Sequence, residues 1–247
     1  VWVPILRAER VVMAGDPFQL PPTVKSQEAA SKGLTETLLE KAIKRLPDVA
    51  LLNVQYRMHE TIMAFSNRKF YKNELTAHES VGSRLLANSM AVEFIDTAGC
   101  GFEEQSGEEG ASLCNPEEIT MLRKHFDQLS LDVTEQWDAA VISPYRSQVD
   151  LLRKEFAGAE QVAVNTVDSF QGQERDVVYI SLVRSNEKGE IGFLRDYRRM
   201  NVAMTRARKK LVIIGDSATL GNDRFFGELL EYIESVAGYR TAWEFMY

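Results

Sequence analysis

AAVISPYRSQVDLL, Ala139–Leu152, reads as a buried strand that stops at a polar turn and gives way to a helix. Ala139–Ile142 carries no polar residue to face water, as in a strand covered on both sides. The same pattern recurs along the chain. Val11–Ala14 is followed by Gly15-Asp16-Pro17-Phe18-Gln19, Val49–Val54 by Gln55-Tyr56-Arg57-Met58, and Gln161–Asn165 by Thr166 through Gly172. Ala91–Ile95, Val177–Val183 and Leu211–Ile214 read as further strands, with amphipathic segments between them. Short apolar runs alternating with helical patterns predict an α/β protein built on a mostly parallel sheet.

Open parallel sheets bind ligands beyond the carboxyl ends of their strands, where loops converge and helix N-termini point their N–H groups outward. Four polar turns rich in Gln, Arg, Ser/Thr and Gly therefore predict one shared ligand-binding edge. Between the strands, Asn115 suits an N-cap, Pro116 the first helical turn, and Glu117 and Glu118 its positive end. Ile119, Leu122, Phe126 and Leu129 mark the buried face of that helix, with His125 as a packing residue. Asp196 is the expected N-cap of a helix running to about Arg208. On it Arg199 and Arg206 share a face two turns apart. Two guanidinium groups so placed suit a multiply charged phosphate; surface salt bridges are the alternative.

The 247 residues are 45% apolar and 26% charged, the composition of a soluble globular protein. No apolar run approaches the ~20 residues that span a bilayer, so no membrane partner is expected. Val1 opens an apolar stretch without Met or a basic leader, which reads as an internal start rather than a signal peptide. Cys100 and Cys114 have no CxxC partner or spaced His, so no metal site is expected; reduced thiols in a cytoplasmic or nuclear setting are favoured over a disulfide. The net charge of −7 gives no hint of nucleic acid, but its distribution is uneven. Glu103, Glu104, Glu108 and Glu109 crowd one stretch, and Arg195 to Lys210 is strongly basic. Residues 80–90 and 98–114 read as loops. Leu46-Pro47-Asp48 breaks a helix ahead of a strand, which divides the chain into an incomplete tail, 1–48, and a main domain, 49–247.

Taken in order, these strings resemble the superfamily 1 helicases, in the branch of the up-frameshift and immunoglobulin-mu-binding helicases. GDPFQLPP (Gly15–Pro22) resembles that family's motif III, and QYRMHETIMAFSNRKFY (Gln55–Tyr71) its motif IV region. ISPYRSQVDLL (Ile142–Leu152) resembles the next nucleic-acid motif, VNTVDSFQGQERDVVYISLVRSN (Val164–Asn186) motif V, and GFLRDYRRMNVAMTRARKKLVIIGD (Gly192–Asp216) motif VI. Five motifs in order form a specific signal, and LTAHESV (Leu75–Val81) and FIDTAGCGFEE (Phe94–Glu104) extend it beyond the motifs. The chain departs from the family in having no GxxxxGK[ST] phosphate loop and no acidic motif II pair.

The resemblance implies a RecA-like second helicase domain forming one wall of an ATP site, with Mg²⁺ held by a first domain in cis. It implies that Gln19 orients the attacking water, with Asp16 in the same network; a turn is the alternative for both. Arg57 and Arg206 become arginine fingers on the transferred phosphoryl group. Tyr56 packs on base or ribose, Gly172 admits close backbone approach, and Glu174 accepts from a ribose hydroxyl. A core aromatic is the alternative for Tyr56 and a salt bridge for Glu174. Ser143, Tyr145, Thr166 and Asn201 are implied contacts to single-stranded DNA or RNA, with helix packing the alternative for Tyr145. Stepping is implied to run 5′ to 3′, and this chain by itself is expected to be inactive. The rival reading is a non-catalytic binding or regulatory module on the same fold. A dinucleotide oxidoreductase is disfavoured because no GxGxxG follows a strand.

Overall fold

A computed structural model describes residues 2–21, 24, 26–46, 49–107 and 112–246. The chain divides into two compact units, Val1–Leu51 and Leu52–Tyr247.

The first unit holds helices α1 (Trp2–Ile5), α2 (Gln27–Ala29) and α3 (Leu38–Ile43), with a π-helical turn at Ala30–Leu34 interrupted by Gly33 at φ +88°. A reciprocal cap starts α3. Thr37 Oγ1 accepts from Glu40 N at 3.1 Å, and the Glu40 carboxylate accepts from Thr37 N at 2.6 Å. The expected buried strand at Val11–Ala14 does not form, and Val12 is 94% exposed. A parallel strand is buried only between neighbours, and the first unit has no other strand among its described residues. Pro47 and Asp48, which carried the predicted break, lie outside the described residues, as do Pro22, Glu108 and Glu109. Val49–Asn53 is not strand either. Only β1 (Val54–Gln55) forms, pairing in parallel with β2 (Thr76–Ala77).

The second unit is built on a six-stranded, wholly parallel sheet. Its members are β3 (Val92–Asp96), β6 (Ala139–Ile142), β7 (Val162–Asn165), β8 (Arg175–Ser181), β9 (Ala207–Gly215) and β10 (Tyr239–Thr241), in the order β10-β3-β9-β8-β6-β7. The near-continuous apolar runs predicted these strands because both faces of the sheet are covered. On one face lie α6 (Pro116–Asp132) and α7 (Arg146–Glu155). Leu122, Phe126 and Leu152 of these helices pack on Val141, Tyr179 and Val212 of the sheet. Strand alternation turns Val178, Ile180 and Ile213 to the other face. There α4 (Glu60–Phe70), α8 (Tyr197–Met204) and α10 (Arg224–Ser235) pack. The short helices α5 (Glu79–Gly82) and α9 (Ser217–Leu220) sit in connections. So does an antiparallel pair, β4 (Gln105–Ser106) with β5 (Leu113–Cys114), inside the stretch read as a loop. Both cysteines are free thiols.

Helix α6 starts as predicted: Asn115 Oδ1 accepts from Glu118 N at 3.1 Å, with Pro116 in the first turn. His125 is buried on its inner face, bonded to Tyr179 at 3.0 Å and Glu93 at 2.9 Å. Helix α8 is shorter than predicted. It stops at Met204 because Ala207 is already paired with Arg175 in the β8–β9 ladder. Asp196 makes no capping hydrogen bond and pairs with Arg199 instead. Arg206 therefore occupies the helix-to-strand junction and does not share a helical face with Arg199.

Candidate functional site

The polar turns do not form one edge. Because the sheet is parallel, its two ends are distinct, and the motifs divide between them. Arg57, Glu174 and Arg206 lie at the amino ends of β8 and β9, whereas Ser143, Tyr145 and Thr166 lie beyond the carboxyl ends of β6 and β7. The segment 166–174 runs from one end to the other, which is how a single motif supplies residues to both.

At the amino end two arginines converge. Arg57 Nε donates to Glu174 Oε2 at 2.5 Å and Nη1 to the Thr205 carbonyl at 3.1 Å. Arg206 Nη2 donates to Thr205 Oγ1 at 3.1 Å, Nη1 to the Gln173 carbonyl at 3.2 Å, and Nε to the Val202 carbonyl at 2.9 Å. Both guanidinium groups thus meet Thr205, Arg57 at its carbonyl and Arg206 at its hydroxyl, while Arg57 also holds the Glu174 carboxylate and Arg206 the Gln173 carbonyl. Gln55 sets the turn that carries Arg57, its Oε1 accepting from the backbone N–H of Arg57 at 2.7 Å and of Met58 at 2.8 Å. Glu174 also faces Arg208 at 3.8 Å, and Arg208 reaches Asp138 at 3.0 Å. Gly172 holds φ +83°, a conformation that favours glycine, and nothing lies within 4 Å of where a Cβ would be. Tyr56 is not a core residue. It is 65% exposed, its ring stacked on His78 at 4.4 Å. In the first unit, Asp16 and Gln19 share a turn: Gln19 Nε2 donates to Asp16 Oδ2 and Phe18 N to Oδ1, both at 2.9 Å.

At the carboxyl end, Ser143 and Tyr145 are buried, and Ser143 Oγ accepts from Tyr145 N at 3.4 Å. Thr166 is half-buried, with Oγ1 3.4 Å from Ser169 Oγ. Asn201 is buried within α8 and donates to Tyr71 Oη at 3.2 Å. Of these four, Thr166 alone presents appreciable surface in the chain as it stands.

Sequence reasoning missed a buried device at this end. Val183 adopts φ +70°, and Arg184 N donates to the Leu182 carbonyl at 2.8 Å, forming a γ-turn. A β-branched residue in such backbone costs about 1–3 kcal/mol and persists only where its surroundings fix it. Here the α6 N-terminus does so. The Glu118 carboxyl accepts from Val183 N at 3.0 Å and lies 2.6 Å from Ser181 Oγ, and Asn115 Nδ2 donates to the Val183 carbonyl at 3.3 Å. Gln148 closes the network, donating to Ser181 Oγ at 2.8 Å and to the Asn115 carbonyl at 3.0 Å. The turn aims Arg184 at Glu104, 2.7 Å away.

Full burial pushes the Glu118 carboxyl up to about 8, against the hydrogen bonds from Ser181 and Val183. Its folded value exceeds its unfolded value, so its stabilising share is complete below the ordinary carboxylate range and fades as pH rises through about 8. Urea unfolding of wild type and Glu118→Gln across pH 5 to 9 should show wild type losing stability relative to the variant with rising pH. Parallel curves would mean that Glu118 folds ionised.

A family model described as an AAA domain matches residues 34–218, and a second model of the same description matches residues 1–27. The chain belongs to the AAA-domain superfamily 1 helicases. It is 40% identical over 258 residues to DNA-binding protein SMUBP-2 of Mesocricetus auratus, covering 99% of this chain and 26% of that protein. An uncharacterized ATP-dependent helicase of Methanocaldococcus jannaschii is 38% identical over 95% of this chain and 36% of its own length. DNA polymerase alpha-associated DNA helicase A of Saccharomyces cerevisiae is 38% identical, covering 89% of this chain and 36% of that helicase. The chain spans between a quarter and just over a third of the length of these relatives. Within this helicase family the α/β sheet described above is a RecA-like domain. No helix among the described residues is long and apolar enough to cross a membrane.

Proposed function

We propose that this chain is the C-terminal motor segment of an ATP-dependent helicase that moves 5′ to 3′ on single-stranded DNA or RNA in the cytoplasm or nucleus. Residues 49–247 form the second RecA-like domain, and residues 1–48 belong to the first, whose remainder binds in cis. The observation that carries this reading is the meeting of Arg57 and Arg206 on Thr205 and on Gln173–Glu174, beside the open space at Gly172.

The donor set suits a nucleotide's phosphates. Two fork-shaped cations reach one point, and an exposed ring, Tyr56, precedes one of them. It does not suit the metal. Among the described residues no group of three or more His, Cys, Asp or Glu is placed to hold an ion. Mg²⁺ and the phosphate loop are therefore assigned to the partner lobe. ATP supplies a transferable phosphoryl group whose charge spreads over its outer oxygens as it leaves.

Glu174 occupies Arg57 in the absence of that charge. On closure Arg57 exchanges the carboxylate for phosphate oxygens, and Glu174 is released toward the ribose. Arg206 leaves its carbonyl acceptors in the same step, and Gln19 orients the water. At the other end of the sheet Thr166 touches the strand's backbone, while Ser143, Tyr145 and Asn201 shape that surface from beneath. Opening after hydrolysis restores the Arg57–Glu174 pair and lets the strand advance.

Direction tests the motor reading. The full-length protein should unwind a duplex bearing a 5′ single-stranded tail and leave one bearing only a 3′ tail intact. The reverse preference refutes the polarity. A full-length protein that binds the strand without consuming ATP refutes the motor and favours the binding-module alternative.

A further inference from the structure

Phe193 is 68% exposed, although both neighbours that anchor its turn are buried, Ile191 and Leu194 at 2% each. The turn Gly192–Arg195 is a 3₁₀ helix closed by Leu194 N donating to the Ile191 carbonyl at 3.1 Å and Asp196 N to the Phe193 carbonyl at 3.2 Å. It sits hard against the carboxyl end of the sheet. A Cβ on Gly192, which holds φ +52°, would lie 2.0 Å from Arg184 Nη1 and 3.1 Å from Tyr145 Oη. The Phe193 ring packs on the Tyr145 ring at 5.9 Å and 55°.

A lone exposed apolar side chain is ordinary. This one differs in being held outward by a rigid turn and in its surroundings. Arg146, next to Tyr145, is exposed, and so is Arg195, two residues beyond Phe193. Neither has an ion-pair partner among the described residues. The nearby acids are largely engaged: Glu104 with Arg184, and Asp168 and Asp196 with Arg199. Earlier in the same loop Glu187 and Glu190 outnumber Lys188 by one charge, and neither lies next to Phe193 in sequence. An exposed aromatic ring, with one unengaged arginine following its packing partner Tyr145 and another two residues beyond it, matches a base with its adjacent phosphates.

We propose that Phe193 is a base-stacking contact for single-stranded nucleic acid, with Arg146 and Arg195 taking the adjacent phosphates. This rests on the reading of the carboxyl end of the sheet as the strand track. Stacking on a ring tolerates any base, as a translocating protein requires.

The test is fluorescence-anisotropy binding of the full-length protein to oligo-dT and to an oligomer of the same length made of abasic units. Phe193→Leu should weaken oligo-dT binding about tenfold, within the worth of one base–aromatic stack. Affinity for the abasic oligomer should stay unchanged. Phe193→Tyr, which keeps the face, should bind oligo-dT as wild type does. Equal loss on both oligomers, or no loss on either, overturns the proposal. So does a lowered Tm with unchanged affinity, which assigns the ring to packing against the rest of the chain. A wild-type protein that binds neither oligomer overturns the strand-track reading itself, and this contact with it.

Discussion

Arg206→Ala in the full-length protein should lower ATP turnover by ~10³–10⁵, the worth of an arginine finger, while single-strand affinity stays near wild type. The site makes this a demanding substitution. Arg206 is 2% exposed and donates to the Val202 and Gln173 carbonyls and to Thr205 Oγ1, so alanine strips donors from buried acceptors. Lost turnover by itself would not separate catalysis from a loosened junction. Arg206→Lys makes the distinction. It keeps the charge and most of the volume but loses the planar fork. If Arg206 meets the phosphoryl group, lysine should recover part of the Tm lost with alanine and keep strand affinity near wild type, yet leave turnover depressed by an order of magnitude or more. Turnover at the wild-type rate in either variant removes the finger assignment.

Lys210→Met should destabilise the second unit by about 3–5 kcal/mol, the typical cost of stranding one member of a buried ion pair. Lys210 is 1% exposed. Its ammonium lies 3.0 Å from Glu93 Oε1 and donates to the Met90 carbonyl at 3.1 Å, and His125 holds the other carboxylate oxygen at 2.9 Å. Burial alone would push the Glu93 carboxyl up. The His125 hydrogen bond and the Lys210 charge more than reverse that and bring it to about 2. Burial likewise pulls Lys210 below its ordinary value against the pull of Glu93, but the 3.0 Å geometry fits an ion pair at neutral pH. The depressed carboxylate stabilises the fold above its unfolded value, near 4.5, and that share is lost as pH falls toward about 2. Methionine at position 210 keeps the volume and leaves Glu93 without its cation. The double variant Glu93→Gln with Lys210→Met should regain most of the loss, since a neutral pair needs no counter-charge. Guanidinium unfolding checks both. A single-variant cost under about 1 kcal/mol would show that the carboxylate does not depend on Lys210.

The sheet was legible because its strands are buried on both faces. Ala139–Ile142 and Leu211–Ile214 have no room for a polar residue, and that pattern survives without knowledge of any partner. Val11–Ala14 has the same composition and failed, because a strand exists only where a neighbouring ladder offers its hydrogen bonds. The basic helix was overextended for a related reason. Local propensity continues through Ala207, but pairing of Ala207 with Arg175, thirty-odd residues earlier, claims that residue for β9. The residue types at the two arginines pointed to phosphate. Their separation from Ser143, Tyr145 and Thr166 depended on which ends of the strands the loops connect. Glu118 was read as a complement to the helix dipole; its burial under Ser181, 63 positions away, leaves no local trace. Nothing in a run of valine and leucine marks Val183 for a left-handed turn.

The strand order has a temporal consequence. β3 is the first of the six to be made, yet its neighbours on either side, β9 and β10, are the last two. While the chain emerges from the ribosome, Val92–Asp96 has no ladder partner until more than a hundred further residues have been added. The nascent segment must stay soluble with both edges bare and Phe94 uncovered, a long window for mispairing with another growing chain. A premature stop ahead of Tyr239 would leave one of those edges open for good.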